Sequence, residues 1–210
     1  MLMMAGPFGA YLFISFFLQD IEHYSALRTG LAFLPLTLGV MLAVGLGTRL
    51  MTTTAPRFVM AAGLLLGAVG MALLTRLDAG SGYASGVLPS FVLIGVGMGL
   101  VLPAALDLST FGVRPTEAGV ASAMFNVSQQ AGASLDTALL NTVAVNGAAA
   151  CLAAHASSVR SQVHGYTTAT GWAAGILLVA AVAALLLIDT RPGKAAPTAP
   201  GPGADATIAS

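Results

Sequence analysis

Apolar residues fall along this chain in six long runs, at about residues 2–19, 29–48, 58–77, 86–109, 116–148 and 171–188, parted by polar loops that are mostly short. About 20 apolar residues, rising 1.5 Å each, cross the ~30 Å hydrocarbon core of a bilayer, and every run reaches or approaches that length. A spanning segment must satisfy its backbone hydrogen bonds internally or within a closed barrel, and these runs lack the alternation of barrel strands. The pattern predicts an all-α, polytopic membrane protein. Residues 1–190 form one six-helix transmembrane domain, and 191–210, rich in Pro, Gly and Ala, read as a disordered cytoplasmic tail.

Composition sharpens this. Hydrophobic residues make up 57% and charged residues 8% of the chain, and the mean hydropathy is +0.88, far from the roughly quarter-charged usage of a soluble domain. Eight basic and eight acidic residues cancel, so no basic patch calls for nucleic acid. The single cysteine, Cys151, has no partner for an internal disulfide and no zinc-like spacing. His23, His155 and His164 fall in predicted external loops without carboxylate or thiol at ligand spacing. No HExxH, GxSxG, Walker or GxGxxG sequence is present. No metal, no cofactor and no enzymatic activity are expected.

The loops orient the bundle. Arg49, Arg57, Arg114, Arg191 and Lys194 lie on one side, against Arg28, Arg76 and Arg160 on the other. Basic residues near helix ends stay cytoplasmic, which places the C-terminus inside. The first run begins almost at Met1, with no Lys or Arg before it and no small-x-small site closing it, unlike a signal peptide. Small residues recur at fourfold spacing: Gly39, Ala43 and Gly47; Gly63 and Gly67; Gly95 and Gly99. Such rows let helices approach closely in lipid. Gly97 and Pro103 add either a kink or a hinge to the fourth run.

The fifth run carries the candidate chemistry. Polar side chains at membrane depth are costly enough to be read as functional. At about 100° per residue from Ser122, Asn126 falls at about 40°, Gln129 at −20°, Gln130 at 80°, Asp136 at −40° and Thr137 at 60°. All share one face, which reads as the wall of an aqueous path or as an interhelical hydrogen-bonding seam. Asp136 and Asp107 are the proton-site candidates, since a carboxylate at membrane depth can load and release a proton as access alternates. Asp107 has a solvated interfacial reading beside Ser109 and Thr110. Glu117, behind Arg114-Pro115-Thr116, complements a helix N-terminus.

The runs FFLQDIEHYSALRTGLAFLP, TRLMTTTAPRFVMAAGLLLGAVGMALL and LPSFVLIGVGMGLVLPAALDLSTFGVRPTEAGVASAMFNVSQQAGASLDTALLNTV resemble the C-terminal half of a major facilitator superfamily transporter, specifically the fourteen-span drug:proton antiporter branch. The resemblance covers about residues 8 to 188. It implies part of a proton-coupled exporter of hydrophobic or amphipathic small molecules in the cytoplasmic membrane. It also implies an N-terminal half, from the same gene or a separate chain, that completes the cavity. The alternative is a truncated, non-transporting membrane fragment or a partner-binding subunit. The family's second-half cytoplasmic loop resembles R-L-x-D-R-x-G-x-R; here Arg49, Leu50, Pro56 and Arg57 are kept while Thr52, Thr53 and Ala55 replace the Asp, Arg and Gly. The family tends to carry small residues where Asp136 stands, so its role rests on its burial alone.

Overall fold

The computed structural model describes residues 24–76, 83–110, 113–114, 116–153 and 158–187, with positions 14, 15, 18 and 19 of the first run. The elements are α1 (Ala26–Ala32), α2 (Leu34–Leu50), α3 (Pro56–Leu74), a π-helical turn (Tyr83–Val87), α4 (Leu88–Thr110), α5 (Ala118–Ala153) and α6 (Ser158–Leu187). Among the described residues, five stretches are long and apolar enough to span a membrane, α1 and α2 counting together as Ala26–Leu50. The architecture is all-helical. The rest of the predicted run 2–19 and the tail 191–210 lie outside the described residues, but Ile14 and Leu18 are fully buried in the main core.

Local chemistry explains the helix ends. Ser25 caps α1, its hydroxyl accepting the Arg28 N–H at 3.4 Å. Pro35 has no N–H to offer the Leu31 carbonyl, and the helix breaks at Phe33. The Tyr83 hydroxyl then donates to the Ala32 carbonyl at that break, at 2.7 Å, while the Phe33 ring meets Phe91 at 4.9 Å between centroids. The last carbonyls of α2 are taken up by the threonine loop. Thr52 Oγ1 donates to Arg49 O at 2.7 Å, Thr53 Oγ1 to Leu50 O at 3.2 Å, and the Thr54 N–H to Leu50 O at 2.8 Å. Pro56 opens α3 at the first helical position, where a missing N–H is tolerated.

The helices pack in the lateral order α2, α4, α3, α6, α5. Residues two apart on a helix point about 200° from each other, so the glycines of α4 serve two neighbours. Gly95 and Gly99 turn toward α2, where a Cβ on Gly95 would strike the Leu36 carbonyl and one on Gly99 would come to 2.5 Å of the Val40 oxygen. Gly97 turns the other way, and a Cβ there would lie 2.5 Å from the Gly63 oxygen of α3. Helix α4 runs unbroken through these glycines and Pro103. The glycine row is thus filled by neighbouring backbone, the close helix approach that small residues allow. On its far side α3 meets α6, with Gly67 against Leu177 and Thr75 against Gly171, and α6 meets α5 where Gly165 abuts the Ala144 carbonyl.

Several boundaries differ from the hydropathy reading. The last run was expected at 171–188, yet α6 begins at Ser158; the fifth was expected at 116–148, yet α5 continues to Ala153. The polar stretch 161–170 stays helical because Gly165 lets α6 lie directly on α5, while the hydroxyls of Thr167, Thr168 and Thr170 are satisfied by donating back to carbonyls of their own helix. His164 is therefore an exposed helical residue, not part of a loop. His23 and His155 lie outside the described residues.

Candidate functional site

Helix α5 presents three different arcs. The buried one is a row at fourfold spacing, Gly132, Asp136, Leu140 and Ala144, which leads to the contact of Ala144 with Gly165 of α6. Asp136 is 5% exposed and stands midway along the helix, about 27 Å of axial rise from either end. A second arc, from about 140° to 220° on the same wheel, holds the exposed apolar residues Val120, Met124, Val127, Leu135 and Val145. Hydrocarbon suits that arc.

The third arc is exposed and polar. Asn126 and Gln130 are both exposed, Thr137 is half-buried, and Ser122 at the start of the strip is half-buried as well. Ser134 and Asn141 continue the strip at i+8 and i+15 from Asn126 and are also exposed. Sequence reasoning passed over these two because the arc was drawn from Ser122; the fourfold register from Asn126 through Gln130 is the signal that finds them. Ser134 Oγ donates to Gln130 O at 2.9 Å and Thr137 Oγ1 to Ala133 O at 2.8 Å. From Asn126 to Asn141 the strip runs about 22 Å along the axis. Gln129 sits between the arcs, half-buried, and its enclosed Nε2 has no hydrogen-bond partner among the described residues.

The single polar face expected from sequence is therefore divided. Asp136 lies in the packed seam, Gln129 at its edge, and Asn126 and Gln130 on the open side. The reason is geometric: α6 covers part of the same third of the circumference. The other candidates are elsewhere. Asp107 is exposed near the C-terminal end of α4, where Thr110 Oγ1 donates to its carbonyl at 3.2 Å. Arg49 is exposed in the last turn of α2, and Arg57, in the first turn of α3, holds its guanidinium 4.7 Å over the Phe58 ring. The described residues include no grouping of three or more His, Cys, Asp or Glu able to hold a metal ion.

Long apolar helices locked by glycines, with amides and a carboxylate at mid-helix, define a polytopic α-helical membrane protein. The family profile of the Major Facilitator Superfamily matches residues 1–135, and the chain belongs to that superfamily. It is 46% identical over 193 residues to a puromycin resistance protein of Streptomyces alboniger, covering 89% of this chain and 38% of that protein. It is 37% identical over 156 residues to a cephamycin export protein of Amycolatopsis lactamdurans, covering 72% and 32%. A tetracenomycin C resistance and export protein of Streptomyces glaucescens is 30% identical over 144 residues, covering 68% and 27%. The chain thus spans between 27% and 38% of the length of these relatives.

Proposed function

We propose that this chain forms the C-terminal membrane unit of a proton-coupled exporter of hydrophobic or amphipathic small molecules, antibiotics among them, in the cytoplasmic membrane. The observation that carries the reading is the exposed polar strip of α5, set beside a distinct apolar arc on the same helix. Amides left facing hydrocarbon are costly, so this strip suits a water-accessible cavity closed on its other side by a further membrane unit. The names of the relatives, which are resistance and export proteins, support the direction of transport. In this arrangement Asn126 and Gln130 offer hydrogen bonds to substrate, and Asp136 in the α5 seam exchanges a proton. Arg49 and Arg57 flank a cytoplasmic loop, and the C-terminus lies inside.

The test is efflux of puromycin and of a lipophilic dye from a susceptible bacterium expressing the complete reading frame. Active efflux is expected, abolished by collapsing the proton gradient and reduced about thirtyfold by the double change Asn126→Ala, Gln130→Ala, which removes two hydrogen bonds of about 1 kcal/mol each. Efflux that persists without a proton gradient would remove the coupling. A chain that accumulates in the membrane but exports nothing would be the non-transporting subunit instead.

A further inference from the structure

The surface of α6 carries a groove of about 640 Å³ whose described lining is Thr168, Gly171, Trp172, Gly175, Ile176 and Val179. These residues share one face of the helix, at i, i+3, i+4, i+7, i+8 and i+11. Gly95, Gly97, Gly99 and Gly165 each seat a neighbouring backbone, but the glycines here do not. A Cβ on Gly175 would meet nothing within 4 Å, and one on Gly171 would meet Thr75 Cγ2 at 3.6 Å, an ordinary contact. Two absent side chains therefore recess the floor, and Trp172, 61% exposed, forms a side.

The groove has the depth of one leaflet. It opens where the polar stretch of α6 gives way to the apolar one, and Val179 lies about 16 Å beyond Thr168 along the axis, against about 15 Å for half of a ~30 Å hydrocarbon core. Past Val179 the same face is filled by the exposed side chains of Val182 and Leu186. A partner helix crossing the whole membrane would be held off by that step, since helices associate in lipid through small residues along their contact. Below Thr168, whose hydroxyl already donates to His164 O at 2.8 Å, only the Trp172 indole N–H is polar. A ligand with heteroatoms along its length would leave them unpartnered.

The geometry points to a phospholipid acyl chain as the occupant of this groove, entering from the leaflet whose headgroups lie level with Thr168 and held against the Gly171–Gly175 floor beside Trp172. Trp172 is the chain's single tryptophan, so its fluorescence reports occupancy directly. The experiment is titration of the purified full chain in detergent with a phospholipid brominated on its acyl chain. Quenching of Trp172 is expected to saturate at equimolar lipid, and Gly175→Leu, which has open space for its side chain, is expected to lose that saturable phase while melting at or above the wild-type temperature. Three results would overturn the assignment. They are quenching that rises linearly and equally in both proteins, a saturable phase that survives Gly175→Leu, or equimolar displacement of the lipid by an amphipathic aromatic cation, which would give the groove to the exported molecule.

Discussion

The α3–α4 contact makes Gly97→Ala the most informative single substitution. Its new Cβ would stand 2.5 Å from the Gly63 carbonyl oxygen and 2.8 Å from the Gly67 nitrogen, where ordinary contact begins at 3.4 Å. Both obstacles are backbone, so no rotamer change relieves them, and α3 and α4 must part by about 0.9 Å. A gap of that size forfeits a quarter to a half of the dispersion energy of each contact it opens, including those of Gly70 with Ile94 and Gly63 with Val101. Overpacking of this kind costs about 1–3 kcal/mol. By the scaling of soluble domains of similar size, thermal unfolding in detergent should fall by about 2–12 °C. Gly175→Ala is the control, because it adds the same methyl to open space and gains about 1 kcal/mol of helix propensity. If Gly97→Ala melts at or above wild type, the glycine-locked packing of α4 is wrong.

Other changes test other parts of the structure. Tyr83→Phe removes the hydroxyl that donates to Ala32 O and should cost about 1 kcal/mol at neutral pH. Burial, with Tyr24 adding to it, pushes the Tyr83 phenol above its usual value of 10.0. A raised folded-state value stabilises the fold fully below pH 10 and loses that stabilisation as pH climbs through the raised value. The wild type should therefore lose stability more steeply than Tyr83→Phe above pH 10, and parallel curves in a pH series of melts would argue against this role. Under the proposed function, Asp136→Asn in the complete reading frame should abolish the dependence of efflux on the proton gradient while leaving membrane abundance and melting close to wild type. Asp136→Glu should restore the dependence in part, and unchanged coupling in Asp136→Asn would take this carboxylate out of the mechanism.

The hinge reading of the fourth run shows what one-dimensional pattern leaves open. Gly95, Gly97, Gly99 and Pro103 are compatible with a flexible helix or with a tightly packed one, because a missing side chain serves both ends equally well. Only the positions of Leu36, Val40 and Gly63 around it show that these glycines seat neighbouring backbone. The polar residues of α5 tell the same story. Their spacing puts Ser122, Asn126, Gln129, Gln130, Asp136 and Thr137 on a common side, but whether a residue on that side meets α6 or open space depends on where α6 crosses, and α6 has no voice in the spacing of α5.

What the sequence determined by itself is what lipid imposes on each segment separately. Backbone amides in hydrocarbon must be satisfied within their own helix, so apolar length alone prescribes helices, and five such stretches lie among the described residues; the break at Phe33, ahead of Pro35, falls inside the run 29–48 that hydropathy reads as continuous. The tertiary structure decided which faces are spent on neighbours. It carried α6 back to Ser158 through a polar stretch, because contact with α5 at Gly165 took the place of the apolar length that hydropathy demands, while hydroxyls turned onto their own helix left those side chains satisfied. It also parted Asp136 from Asn126 and Gln130, since a side chain's surroundings are set by the helix that packs beside it and not by its own period.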